Sequence, residues 1–246
     1  MPSRAELTAA LARYPGALEL RARASRASAH LVELDAWYRR ELRTAVQERL
    51  DNEDQGERDP ADRLTTDELV RLMDWKLARG KFRPRLQSLV ASNSPVSLRS
   101  ALADAARAPS REAALKALSK LSAVGPATAS AVLALWYPAD EPFMSDEAID
   151  GASAYGEGEP GGTGKREYTV KGWREFREQM RARKEDEAWE SMDDLEMALW
   201  SWAVERRYGG GDAKEDEEAA VPVPKKAAKK RSNDGAASAT KKRKST

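Results

Sequence analysis

Apolar residues recur along this chain at three- and four-residue intervals, the period of helices packed on one side, and runs of β-branched alternation are absent. Ser3 with Glu6 predicts a capping box ahead of Leu7 and Leu11, and Pro15-Gly16 ends that first helix. Leu31, Leu34, Tyr38, Leu42, Val46 and Leu50 then predict one long helix in a heavily charged surface, followed by a polar break from Asp51 to Asp62. Thr65 with Glu68 opens the next helix, Leu69 to Leu77, and Pro84, Pro95 and Pro109 punctuate those after it. Leu115, Leu118 and Leu121 hold helical spacing until Val124-Gly125-Pro126 breaks it, and Ala127 to Leu135 restarts a helix from small and apolar residues. Asp150 to Lys165, centred on GEGEPGGTG, reads as a loop too glycine-rich to pack, while Lys171 to Arg183 and Asp193 to Arg207 resume the helical pattern. The pattern predicts an all-α chain divided into an N-terminal helical arm (1–63), a helical domain (64–208) and a tail (209–246).

Charge changes this picture at the tail. The whole chain of 246 residues carries a net +1, but from Asp212 onward ten Lys/Arg stand against six Asp/Glu, giving +4 there and leaving −3 over residues 1–211. An acidic block, Asp212 to Glu218, precedes basic clusters at Lys225-Lys226, Lys229-Lys230-Arg231 and Lys241 to Lys244, spaced by small polar residues that cannot build a core. This predicts a disordered nuclear localisation tail read by import receptors; the same charges also suit any polyanion. Cysteine is absent and His30 is the only histidine, which excludes disulfides, an iron-sulfur cluster and a Cys/His zinc site, so no metal and no cofactor is expected. No continuous apolar run resembles a secretory signal or spans a bilayer, so a soluble intracellular protein with no membrane partner is expected.

The stretch Leu121 to Ala148 carries the clearest chemistry. A turn at Val124 and Gly125 leaves unpaired amides, from Ala127 and Thr128 among others, at the start of the second helix, a seat for a phosphate that needs no basic side chain. Leu121-Ser122-Ala123-Val124-Gly125-Pro126-Ala127-Thr128-Ala129, followed by Asp146 nineteen positions after Ala127, resembles the hairpin and essential aspartate of the helix-hairpin-helix DNA glycosylases. Ser122 and Ala123 replace the family's proline and first glycine, and the spacing to the aspartate is one longer than usual. Ala127 stands where bifunctional members carry a lysine that attacks the sugar, so the resemblance implies at most base removal without strand cleavage. Leu69 to Asn93, GPATASAVLA and FMSDEA look more specifically like the Amun-like nuclear proteins, a branch with this glycosylase fold, over Leu64 to about Tyr208.

A second candidate site is WKLARGKFRPR, Trp75 to Arg85, where Lys76, Arg79, Lys81, Arg83 and Arg85 crowd around Gly80 with no acidic residue between. So dense a block of one sign suits phosphates, and interleaved aromatics suit bases, although Trp75 and Phe82 taken singly read as core. Asp146 has two readings: an acidic helix start, or the carboxylate that stabilises a cationic sugar or orients water as a base departs. Glu147 is its reserve. Trp136, Tyr137, Phe143 and Tyr168 are candidates to line a base pocket, whereas Trp173, Trp189, Trp200 and Trp202 read as core. Together these features predict a nuclear DNA-binding protein that removes a damaged base; the alternative is a chromatin or regulatory adaptor keeping the fold only for docking. An open cleft holding Asp146 beside the Gly125 turn favours the enzyme, and a filled one the adaptor.

Overall fold

The structure, a computed structural model, describes residues 1–156 and 166–209. It is all-helical, with no strand among the described residues. In chain order the α-helices are α1 (Arg4–Ala12), α2 (Tyr14–Ala24), α3 (Leu31–Ala36), α4 (Arg43–Asp54), α5 (Thr66–Arg79), α6 (Pro84–Ala91), α7 (Pro95–Ala106), α8 (Arg111–Leu118), α9 (Pro126–Trp136), α10 (Asp146–Gly156), α11 (Val170–Asp186) and α12 (Met192–Tyr208). The expected nuclear localisation tail lies outside the described residues, as do positions 157–165 of the glycine-rich segment. The first part of that segment is helix α10 rather than loop, because Ala148, Ile149 and Ala152 form a buried apolar stripe. Among the described residues no helix is long and apolar enough to cross a membrane.

Local sequence accounts for the helix ends. Ser3 Oγ accepts the Glu6 N–H at 3.3 Å while the Glu6 carboxylate accepts the Ser3 N–H at 2.7 Å, and Thr65 with Glu68 repeats the exchange at 3.2 and 2.8 Å. Pro84, Pro95 and Pro126 open α6, α7 and α9, where a missing N–H leaves no bond unmade. Pro15 plays the same part in α2, so Pro15-Gly16 begins a second helix instead of only ending the first. Residues Trp37–Leu42 form a π-helical stretch that joins α3 to α4 without a break. Apolar steps of four residues drift round an α-helix by about 40° each. The wider π turn absorbs that drift, so Tyr38, Leu42 and Val46 all stay buried.

The boundary expected at residue 64 is not a structural one. Leu7, Tyr14, Leu31, Tyr38 and Val46 of the supposed arm share a single core with α9 and α12. The middle of that core is α9, whose residues from Ala127 to Trp136 are all buried, as a helix apolar on every side requires. The N-terminal helices hold it by its own carbonyls: Tyr38 donates its hydroxyl to the Ala131 oxygen at 2.8 Å, and Gln47 Nε2 donates to the Leu135 oxygen at 2.7 Å.

Against this apolar core lies a cluster of buried charges. Arg79 on α5 donates to both oxygens of Glu196 on α12, at 2.8 and 3.0 Å, and the two side chains are 1% and 0% exposed. Arg39 on the π stretch reaches Asp193 at 2.8 Å, Asp35 at 3.3 Å and Glu196 at 3.5 Å, and Arg43 reaches Asp193 at 2.7 Å. Tyr14 and Trp75 each donate to Asp35 Oδ1 at 2.8 Å. Three arginines thus face three carboxylates, so the cluster is neutral as a whole. Burial pushes Asp193 up, but Arg39 and Arg43 outweigh it and hold the carboxyl at about 2. Its contribution to stability is therefore complete above the ordinary carboxylate range and is lost as pH falls towards about 2.

Removing one partner of a buried pair leaves an uncompensated charge, whereas replacing both need not. Glu196→Ala is expected to lower the unfolding free energy by about 3 to 5 kcal/mol in urea denaturation, with Arg79→Met/Glu196→Met together losing less than Glu196→Ala alone. A loss for Glu196→Ala below about 1 kcal/mol, the level of a surface pair, would show that the cluster does not hold the helices together.

Candidate functional site

Four parts of the chain meet in a cleft of about 370 Å³: the end of α5 with its following loop, the start of α6, the hairpin between α8 and α9, and the segment entering α10, with Tyr168 also on the wall. That volume lies in the range of about 300 to 1,000 Å³ in which small ligands are held.

The hairpin is built by its backbone. Ala123 adopts the left-handed conformation, φ 62°, which glycine accepts more readily than alanine. Asn93 holds this turn from the end of α6, accepting the Ser122 N–H at 2.8 Å and donating to the Ser122 oxygen at 3.0 Å. Gly125, exposed and extended, is the N-cap of α9 with no side chain capping it. The N–H groups of Thr128 and Ala129 both bond the Gly125 oxygen at 2.9 Å, and Pro126 has none to offer. The N–H groups of Gly125 and Ala127 donate to nothing among the described residues. Two free donors thus sit at the positive end of a buried helix, the arrangement that receives an anion.

From here α9 carries the chain about 15 Å away. Residues 137–145 bring it back. Glu141, 1% exposed, is held by both nitrogens of an Arg177 fork at 2.5 and 2.7 Å, and the Met144 N–H donates to Ser130 Oγ at 2.9 Å, one turn into α9. Ser145 then donates its hydroxyl to Glu196 Oε1 at 2.6 Å and accepts the Ala148 N–H at 3.3 Å, which caps α10. These contacts set Asp146 and Glu147, the first residues of α10, on the cleft wall beside the hairpin.

The two neighbouring carboxyls meet opposite surroundings. Asp146 accepts from Arg166 at 3.2 Å and from the Tyr168 hydroxyl, and Arg166 also forks onto Asp150 at 2.7 and 2.8 Å. Burial, together with the hydrogen bond to Asp146, pushes the Tyr168 hydroxyl up. Glu147 meets neither Arg166 nor Tyr168: burial, reinforced by Asp146 and Glu196, outweighs the hydrogen bond from its own backbone N–H and the opposing Arg79, and pushes its carboxyl up to about 7. Burial also pushes the Lys76 amine down, with Asp146 opposing the change and Arg83 adding to it.

Most of the residues expected at the site are brought together. Asp146, Lys76, Lys81, Arg83, Val124, Gly125, Ala127, Thr128, Phe143 and Tyr168 all line the cleft. Arg85 is exposed on α6 but lies outside it. Arg79, expected among the phosphate-gripping cations, also borders the cleft, but its side chain is 1% exposed and committed to Glu196, because α5 runs on to Arg79 and turns it inward. Trp136 and Tyr137 are corrected. They end α9 at the far side from the hairpin, where Arg63 packs over Trp136 at 4.4 Å and Arg111 over Tyr137 at 3.3 Å from the ring centres. Trp75 is core, stacked on Tyr38 at 3.6 Å, whereas Phe82 is 40% exposed. Among the described residues no cluster of side chains suits a metal.

The sequence carries no sign of the parts played by Ser130, Asn93, Glu196 and Arg166, or of the bond from Ser145 to Glu196. Only Ser145 left a signal, as a serine directly before two acidic residues at a helix start.

Because the folded carboxyl of Glu147 titrates near 7 and the unfolded one near 4.5, the stability it permits is complete below the lower value and lost as pH rises through the higher. Glu147→Gln does not titrate. Its melting temperature, measured relative to the native chain, is therefore expected to rise by about 3 °C or more between pH 5 and pH 8, the effect of about 1 kcal/mol in a chain of this size. A difference independent of pH would mean that Glu147 ionises normally. No family model, no curated protein and no solved structure matches this chain, so the cleft itself is the ground on which its function is read.

Proposed function

We propose that this chain binds DNA in the manner of the helix-hairpin-helix glycosylases it resembles, receives an extruded nucleotide in the cleft, and hydrolyses the N-glycosidic bond with Asp146 while leaving the strand intact. The observation that carries the reading is the position of Asp146 on the wall of an open cleft beside the free amides of Gly125 and Ala127. An anion seat alone suits any phosphate. A carboxylate beside that seat suits the charge that develops on the sugar as the base departs. Lys81 and Arg83, exposed on the loop between α5 and α6, supply sequence-independent attraction to the backbone. Phe143 on the cleft wall and the half-exposed Tyr168 offer ring faces for an unstacked base.

Strand cleavage through a Schiff base needs an amine at the sugar, and Ala127 provides none. Lys76 and Lys81 line the same cleft from the other side. Borohydride trapping of a covalent complex would therefore move the assignment to a lyase acting through one of them. A second reading also has an observation in its favour: Arg166 and Tyr168 occupy both oxygens of Asp146, as suits an adaptor that binds DNA without chemistry.

Two measurements test the proposal. Lys81→Ala with Arg83→Ala is expected to flatten the plot of log affinity against log salt by about one unit per lost phosphate contact. An unchanged slope in the folded variant would remove the loop from the interface. A panel of duplexes carrying alkylated, deaminated or oxidised bases is expected to yield alkali-labile abasic sites, with Asp146→Asn abolishing excision and preserving binding. Binding without excision of any lesion would leave the adaptor.

A further inference from the structure

Asp146 is not the only carboxyl on the cleft wall. Glu147 follows it in the first turn of α10, and its Oε2 is shut off from solvent and meets no hydrogen-bond partner among the described residues. The charges that act on it most strongly are Asp146 from its own turn, Arg79 from α5 and Glu196 from α12; Lys76, Lys81 and Arg83 share the cleft with it, and Glu6, Asp150, Arg166, Arg206 and Arg207 share the cavity behind α10. Arg79 is already engaged by both oxygens of Glu196, so it leaves the charge of Glu147 poorly compensated. An ionised carboxylate without a partner is costly to bury, and a proton on the group removes that penalty. The wall therefore presents two adjacent carboxyls in different surroundings: Asp146, with both oxygens hydrogen-bonded by Arg166 and Tyr168, and Glu147, with Oε2 enclosed and unbonded. Paired carboxyls whose surroundings separate them in this way are the arrangement by which one site supplies both an acid and a base.

We propose that Glu147 is the general acid of this cleft, required for release of uncharged modified bases, deaminated or oxidised, and not for release of cationic alkylated ones. The inference rests on the excision reading above. In the step, the bond between C1′ and the base nitrogen breaks with its electron pair going to the base, and the Glu147 proton passes to a ring nitrogen, so the base leaves neutral. Water adds its oxygen to C1′ and gives up a proton to Asp146. The products are the free base and an abasic sugar carrying a hydroxyl. Glu147, left as a carboxylate, regains a proton from solvent and Asp146 returns its own. Glu147 also borders a second cavity of about 560 Å³ behind α10, lined in part by Asp150, Arg166 and Trp202. A base that is already cationic leaves neutral without any acid. That difference separates Glu147 from Asp146, which both kinds of substrate require.

The test is single-turnover excision by the full chain on duplexes carrying hypoxanthine, uracil or 8-oxoguanine, and on one carrying the cationic 7-methylguanine, across about pH 5 to 9. Glu147→Gln is expected to slow release of the uncharged bases by about 10² to 10⁴-fold, the usual contribution of a general acid, while changing 7-methylguanine release by less than about 5-fold. In the native chain the rate on uncharged bases is expected to fall as pH rises past neutrality, and in the variant to be flat. Asp146→Asn is expected to slow every substrate. Equal slowing of both classes by Glu147→Gln overturns the proposal, as does no slowing at all, a native rate on uncharged bases that does not fall with pH, or native excision confined to 7-methylguanine. Each of these leaves the excision reading standing. A native chain that binds the duplexes and releases none of the bases defeats the excision reading, and this inference with it.

Discussion

The pairing of Arg79 with Glu196 is the interaction on which the rest of the molecule depends. Both side chains are wholly buried, and they join α5, which leads into the basic loop, to α12, near the end of the described chain. Neither charge is tolerable inside without the other, so the two helices are held in one register by the penalty of separating them. The pair also reaches the site directly. Glu196 Oε1 accepts from Ser145, whose hydroxyl caps α10, and Glu196 and Arg79 are both felt by Glu147. A core ion pair thus fixes where the cleft carboxyls stand and biases the protonation of one of them.

The buried helix α9 supplies the second constraint. Its apolar surface commits it to the middle of the core, and its first turn is left facing the cleft with two amides unspent. The chain must travel the length of α9 and return before it reaches Asp146. Three tethers at Glu141, Met144 and Ser145 fix that return. The anion seat and the carboxylates are therefore parts of one rigid body rather than features of separate loops. What stands against immediate reaction is the hold of Arg166 and Tyr168 on Asp146. Those two residues precede α11, and under the proposed function an incoming phosphate or sugar would have to displace them or share the aspartate with them.

Much of this was legible in the amino-acid order because local physics governs it. The capping boxes at Ser3 and Thr65, the proline starts and the hairpin at Gly125 all follow from near neighbours in the chain. The misreadings share one cause, which is packing between distant segments. Arg79 belongs to a run of cations by sequence, yet its partner lies 117 positions away in Glu196. Trp136 lies close to Phe143 in the chain, but a rigid helix end sets it on the opposite side from the cleft. The first 63 residues resemble an arm only until Tyr38 and Gln47 are seen bonding to α9. Glu147 is the instructive case. A glutamate in the first turn of a helix is ordinarily a solvated, ionised residue that the dipole favours, and only the three-dimensional surroundings make it a half-buried group with one oxygen enclosed and unbonded.

If the amide seat, the cleft and Asp146 act on one nucleotide, as proposed, a crystal structure of the Asp146→Asn protein bound to a lesion-bearing duplex that it cannot process will show a backbone phosphate on the amides of Gly125 and Ala127, with the extruded base in the cleft between Phe143 and Glu147. A duplex seated on another face, or one held at the hairpin with its lesion still stacked in the helix and the cleft empty, would contradict the proposal.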